Sequence, residues 1–181
     1  MPLSAPPTAL DLRPLARDGA ALEGTTPTAT FERLSEGVSL VGSAQVRWRA
    51  QPEWRPVTGG ADQLWLHVVA DGDAPQVCQR CLSPFWQPVQ VDRWFRFVAD
   101  ESTAETEDED ADEDVLAFAP RFDLRSLLED ELLLALPLVP MHEPGCPEPL
   151  QPLAEGVDNG APQARQNPFA ALAGLKARRA T

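Results

Sequence analysis

From Thr28 to Val98 the chain keeps returning to a period of two, and that pattern leaves room for little besides a sheet built from successive strands. In "QVRWRA" Val46, Trp48 and Ala50 fall on one side and Arg47 and Arg49 on the other, the alternation of a half-buried strand. "LWLHVVA", residues 64–70, is apolar on both sides apart from His67, which predicts a central strand with His67 as a packing residue. "FWQPVQVDRWFRFVA", residues 85–99, reads as one or two further strands, with Pro88 marking a bend or an edge. Glu36-Gly37 and Gly59-Gly60 punctuate these segments as turns do.

Helical signals lie outside that stretch. "FDLRSLLEDELLLALP" offers Asp123 as an N-cap and repeats Leu124, Leu127, Leu128 and Leu132 on one side, until Pro137 stops it. "NPFAALAGLKARRAT" opens with Asn167 and Pro168 and carries Phe169, Leu172 and Leu175 as an apolar stripe, which predicts a C-terminal helix. The expected fold class is therefore α+β: an antiparallel, partly barrel-like sheet with a Leu-rich helix, a C-terminal helix and a disordered acidic loop. Residues 1–24 read as a loosely ordered segment and 25–150 as a single domain with the acidic loop at 100–114. Residues 151–181 read as an irregular linker and the C-terminal helix.

Charge is concentrated rather than spread. The 181 residues hold 28 acids and 15 bases, a formal net charge of −13. Ten of those acids fall between Asp100 and Asp114, so the rest of the chain is close to neutral. Like charges at that density repel and offer nothing apolar to bury, which predicts a mobile loop. Within it Asp108, Glu109, Asp110 and Asp112 are candidates for holding a cationic protein partner. No apolar run is long enough to cross a bilayer, and the first residues lack the apolar stretch of a secretory signal, with Asp11 and Arg13 where it would fall. A cytoplasmic protein with reduced thiols is the expectation.

"VCQRCLSPF" places Cys78 and Cys81 three positions apart. One reading is a metal knuckle, because a tight turn lets both thiolates face one ion; "VPMHEPGCPEP" supplies His142 and Cys146, completing a Cys3His set for a structural zinc. Another is plain burial, common for cysteine. A redox pair is a third, although such chemistry places the motif at the start of a helix, and a strand pattern follows Cys81. No phosphate-binding glycine loop, nucleophile elbow or His-Glu-x-x-His motif occurs, so no enzyme is indicated. Glu131 reads as an exposed residue of the Leu-rich helix. Arginines interleaved with tryptophans offer phosphate contacts and stacking surfaces, making Arg47, Arg49, Arg93, Arg96, Trp48 and Trp94 candidates for binding RNA. The plainer alternative is that the aromatics point inward and the arginines outward.

"CQRCLSPF" after a β segment, "LRSLLEDELLLALPLVPMHEPGC" after an acidic spacer and the closing "NPFAALAGLK" together resemble the YceD family, the large ribosomal RNA subunit accumulation proteins, over about residues 30–176. The resemblance implies a bacterial protein, with relatives in plant organelles, needed for the synthesis, processing or stability of 23S rRNA. It implies large-subunit rRNA or its precursors as partner, or a basic ribosomal protein for which the chain is an acidic chaperone, the gene commonly lying beside one for such a protein. A thiol oxidoreductase using Cys78 and Cys81 is the remaining alternative. The family's recurring positions match Cys78, Cys81, Glu131, Pro137, Cys146, Asn167, Pro168 and Phe169. Many relatives carry a second cysteine pair where this chain has only Cys146 with His142 nearby. The resemblance carries over no catalytic residue.

Overall fold

In a computed structural model of the chain, residues 2–40 and 42–147 are described. The C-terminal helix expected at Asn167, Pro168 and Phe169, and the linker before it, lie outside the described residues. The elements run in chain order as α1 (Leu12–Asp18), β1 (Leu22–Pro27), a 3-10 turn (Thr28–Thr30), β2 (Gln45–Arg55), β3 (Gln63–Val77), β4 (Pro84–Val98), α2 (Glu101–Asp108), β5 (Asp114–Ala117) and α3 (Leu124–Leu134). The α+β class holds.

The five strands form one sheet in sequence order, β1-β2-β3-β4-β5. The first three pairings are antiparallel; Glu36-Gly37 and Gly59-Gly60 fall in the first two connections as predicted, whereas β1 lies before Thr28, beginning in the segment expected to be loose, and the described residues of 28–44 hold no strand. β5 departs from the expected pattern: it pairs with β4 in parallel, Phe95 opposite Asp114 through Val98 opposite Ala117, because α2 carries the chain back before it re-enters the sheet. The sheet is open rather than barrel-like, with β1 and β5 as its two edges. Residues 84–98 make one strand, not two. Pro88 fits there because β5 reaches only Phe95–Val98, so β4 is an edge on that side at Pro88 and needs no donor.

Alternation sorts the side chains as a two-faced sheet requires. Val46, Trp48 and Ala50 of β2, Leu64, Leu66, Val68 and Ala70 of β3, and Val89, Val91, Phe95 and Phe97 of β4 are buried together, with Leu124, Leu128 and Leu132 of α3 and Leu12 of α1 in the same core. α3 starts at its predicted cap, where Asp123 Oδ1 accepts from Ser126 N at 2.8 Å. Its Glu129 is buried against the segment after the 3-10 turn and accepts from Arg33 N at 2.7 Å and Leu34 N at 3.3 Å. That carboxylate fastens Phe31 and Leu34 over the core.

The N-terminal residues, expected to be loose, are part of this architecture. Leu12 is fully buried, Leu10 bridges to Phe122, and Leu3 runs beside Gly24 with Leu3 N donating to Glu23 O at 2.8 Å. A Cβ on Gly24 would lie 2.2 Å from Leu3 O, so only glycine admits the approach. The acidic segment also differs from expectation. Asp100 caps α2 by accepting from Thr103 N at 2.9 Å, and Asp108 Oδ1 accepts from Val115 N at 2.9 Å, so the acids build a helix and position β5. Density of charge did not prevent order because several of these carboxylates find donors.

Candidate metal-ligand cluster and charged faces

β3 ends at Val77 and β4 begins at Pro84, leaving six residues to turn. Cys78 N donates to Ser83 O at 3.0 Å and Leu82 N to Cys78 O at 2.9 Å, closing the loop so that both cysteine side chains turn inward. Cys78 has no exposed surface and Cys81 is 8% exposed. The turn requires Leu82 to adopt φ 61°, a left-handed backbone that costs a branched side chain of order 1–2 kcal/mol. The chain after α3 comes to meet this turn: Gln79 N donates to Pro140 O at 2.9 Å, and the His142 ring lies against Phe85 with centroids 4.5 Å apart.

The result joins two segments more than sixty residues apart. Cys78 Sγ lies 3.7 Å from Cys146 Sγ, and Cys81 Sγ lies 3.4 Å from His142 Nδ1. All four ligand atoms fall within 4.8 Å of one another. The three thiols are free. Burial pushes the Cys78 thiol up, but backbone N–H groups of Cys81, His142 and Arg80 aim at its sulfur and outweigh that, leaving it lowered to about 5. Cys146 is raised to about 11, by burial first and then by the neighbouring sulfurs. A thiolate with no exposed surface suits coordination better than attack on an external disulfide.

The arginines and tryptophans are distributed differently. Trp48 is only 3% exposed and spends its indole N–H on Thr26 Oγ1 at 3.0 Å, so it cannot serve as a stacking surface for a base. Arg47 and Arg49 are on the opposite, polar face, where Arg47 pairs with Asp71 and Arg49 donates to Gln51 at 3.0 Å. Arg93 and Arg96 are three apart and therefore point to opposite faces. Arg93 pairs with Asp114 and lies 3.7 Å from Glu131 of α3. Arg96 is 8% exposed and donates to Glu107 at 2.5 Å and Glu113 at 2.6 Å. Trp94 shares its face with Arg47, Arg49 and Arg96, but it stacks on His67 at 4.1 Å and carries the Arg55 guanidinium 4.0 Å from its ring centroid.

His67, expected in packing, is indeed packed, though on the polar face, with Nε2 2.7 Å from Asp92 Oδ1. Glu131, expected to be exposed, is 8% exposed. Burial raises its pKa, Arg93 opposes the shift, and Asp114 and Asp130 add to it. Asp108, Glu109, Asp110 and Asp112 are all exposed, at the end of α2 and in the loop before β5. The role of Arg55 across Trp65 and Trp94 escaped the sequence reading, as did Glu107 and Glu113 as partners of Arg96. Strand register could have revealed the first, since Trp65 faces Arg96 and His67 faces Trp94 once β3 and β4 are aligned.

Comparison with known proteins agrees with these landmarks. A family model described as "Large ribosomal RNA subunit accumulation protein YceD" matches residues 66–176, which include both halves of the cysteine cluster. A curated protein of that name from Haemophilus influenzae is 33% identical over 150 residues, covering 81% of this chain and 82% of the relative. No solved structure matches.

Proposed function

This chain belongs to the family of the large ribosomal RNA subunit accumulation protein YceD, and from that premise we propose that it is a non-enzymatic ribosome biogenesis factor. It acts in the cytoplasm in the synthesis, processing or stability of 23S rRNA, and its direct contact is a basic protein of the large subunit. No helix among the described residues is long and apolar enough to cross a membrane.

The observation that supports a protein contact over an RNA contact is the state of the arginines. A phosphate backbone is held by cations free to displace its counterions. Here Arg47, Arg93 and Arg96 are each paired with carboxylates of the same chain, while Glu101, Glu105, Glu109, Asp110 and Asp112 stand exposed. With a net charge of −13 the field draws cationic proteins and discourages polyanions. Held against such an edge, a basic ribosomal protein is kept from indiscriminate RNA binding until it is delivered.

The test is affinity purification of the full chain from cells, with mass spectrometry and RNA sequencing of what is retained. A variant with Glu105→Lys, Glu109→Lys, Asp110→Lys and Asp112→Lys leaves the Arg96 partners in place. The wild-type chain is expected to retain a basic large-subunit protein after nuclease treatment, and the variant to lose it together with most of the 23S rRNA accumulation. Retention of rRNA that survives this variant but disappears with Arg47→Glu and Arg49→Glu would replace the protein partner by RNA. Absence of ribosomal material from the wild-type purification would remove both.

A further inference from the structure

We propose that Cys78, Cys81, His142 and Cys146 hold one zinc ion, a closed tetrahedral clasp that fastens the segment after α3 to the β3–β4 turn. The inference stands apart from the ribosomal reading and rests on the cluster alone. Zinc bonds of about 2.3 Å to sulfur and about 2.0–2.1 Å to nitrogen put tetrahedral ligand atoms roughly 3.5–3.8 Å apart. The separations of 3.7 Å between Cys78 and Cys146 and 3.4 Å between Cys81 and His142 are close to those edges, and all four ligand atoms lie within 4.8 Å of one another.

Simple burial does not account for the arrangement. Cys78 and Cys81 are buried, yet they are not members of the hydrophobic core over which α1 and α3 pack. Residues 137–147 contain no helix or strand and expose Leu138 completely, so this segment has little apolar packing of its own to secure it. It is nevertheless brought back to the β3–β4 turn, by the Gln79–Pro140 backbone hydrogen bond, the Phe85–His142 ring contact, Arg80 donating to Met141 Sδ at 3.8 Å, and the Cys78–Cys146 and Cys81–His142 contacts. The left-handed Leu82 directs the same reading, because strain of that kind persists where surrounding contacts over-determine the backbone.

The donor set selects the metal. Three thiolates with one imidazole favour a soft or borderline ion in tetrahedral geometry, and hard oxygen-seeking cations are excluded. All four positions come from the protein, leaving no place for a reactive water, so the role is structural. On binding, each cysteine that still carries its S–H proton yields it to solvent, all three sulfurs form Zn–S bonds as thiolates, and His142 donates its Nδ1 lone pair with the ring proton on Nε2. The ion's two positive charges against three thiolates leave the clasp at −1.

The full chain, purified under reducing conditions without chelator, is expected to contain one zinc per chain by elemental analysis. Replacement by cobalt is expected to give the visible ligand-field bands of a tetrahedral site with thiolate charge transfer. Cys146→Ser and His142→Gln should each lower zinc affinity by about 10-fold or more, and His142→Cys should retain the metal as a four-thiolate site. Should a ligand variant fail to fold, the zinc content and cobalt spectrum of the unaltered chain still decide the matter. A folded chain that takes up neither metal after reconstitution overturns the proposal. So does zinc uptake unchanged in both Cys146→Ser and His142→Gln, or a chain isolated from reducing cells with Cys78 and Cys146 joined as a disulfide.

Discussion

The two ends of β4 treat chemically active side chains in opposite ways. Near Val98, the Arg96 guanidinium is met by Glu107 from α2 and Glu113 from the approach to β5, so the cation there has its counter-charges within the chain. Near Pro84, three thiols and an imidazole converge and are turned toward one another. Residues that look functional in isolation lose that meaning when the fold neutralises them. A set brought together at ligand spacing gains it.

The largest expected effect lies at the cysteine end. On the zinc proposal, a strong chelator should release amide protection throughout residues 137–147 while the β2, β3 and β4 core keeps its own, as followed by hydrogen exchange and mass spectrometry. Protection unchanged after metal loss would mean that the clasp carries no structural weight. Next in size is Arg96→Met, which leaves Glu107 and Glu113 without their cation; a loss of about 2–3 kcal/mol is expected in denaturant titrations. A neutral result there would erase the contrast between the two ends.

A smaller effect sharpens the picture at Glu131. Its pKa is raised, chiefly by burial, so the folded protein binds the proton more tightly than the unfolded chain. The stability this contributes is fully present below the unfolded carboxylate value and is lost as pH rises through the raised one. Glu131→Gln should therefore stabilise the protein at neutral pH, with the gain vanishing in acid. Thermal melts across that range check the sign, and a variant less stable at neutral pH would show that the Arg93 contact outweighs burial. Smallest of all is Arg47→Met: its pair with Asp71 is exposed and screened, and denaturation curves of the variant should overlay those of the parent.

The elements most legible in sequence are those whose signals are local. Asp123 is identifiable as a cap because its side chain reaches a donor three residues on, and Val46, Trp48 and Ala50 are recognisable as one face because pleating repeats every two residues. The same parity separates Arg93 from Arg96 and removes Trp48 from any exposed platform, although treating the arginines and tryptophans as one composite face obscured it. The acidic segment misled because its charge was weighed without its partners. Asp100 and Asp108 accept backbone N–H groups, and Glu107 and Glu113 accept from Arg96.

By itself the sequence determined the strand alternation, the start of α3 at Asp123 and the presence of three thiols and an imidazole that could serve a metal, since backbone sterics and side-chain chemistry act over a few residues. Tertiary structure alone decided that Cys78 meets Cys146 across 68 positions, that Arg96 is enclosed by acids, and that β5 returns parallel to β4. Those outcomes depend on strand register and on how the segments after α2 and α3 come back to the sheet, and no local period encodes either.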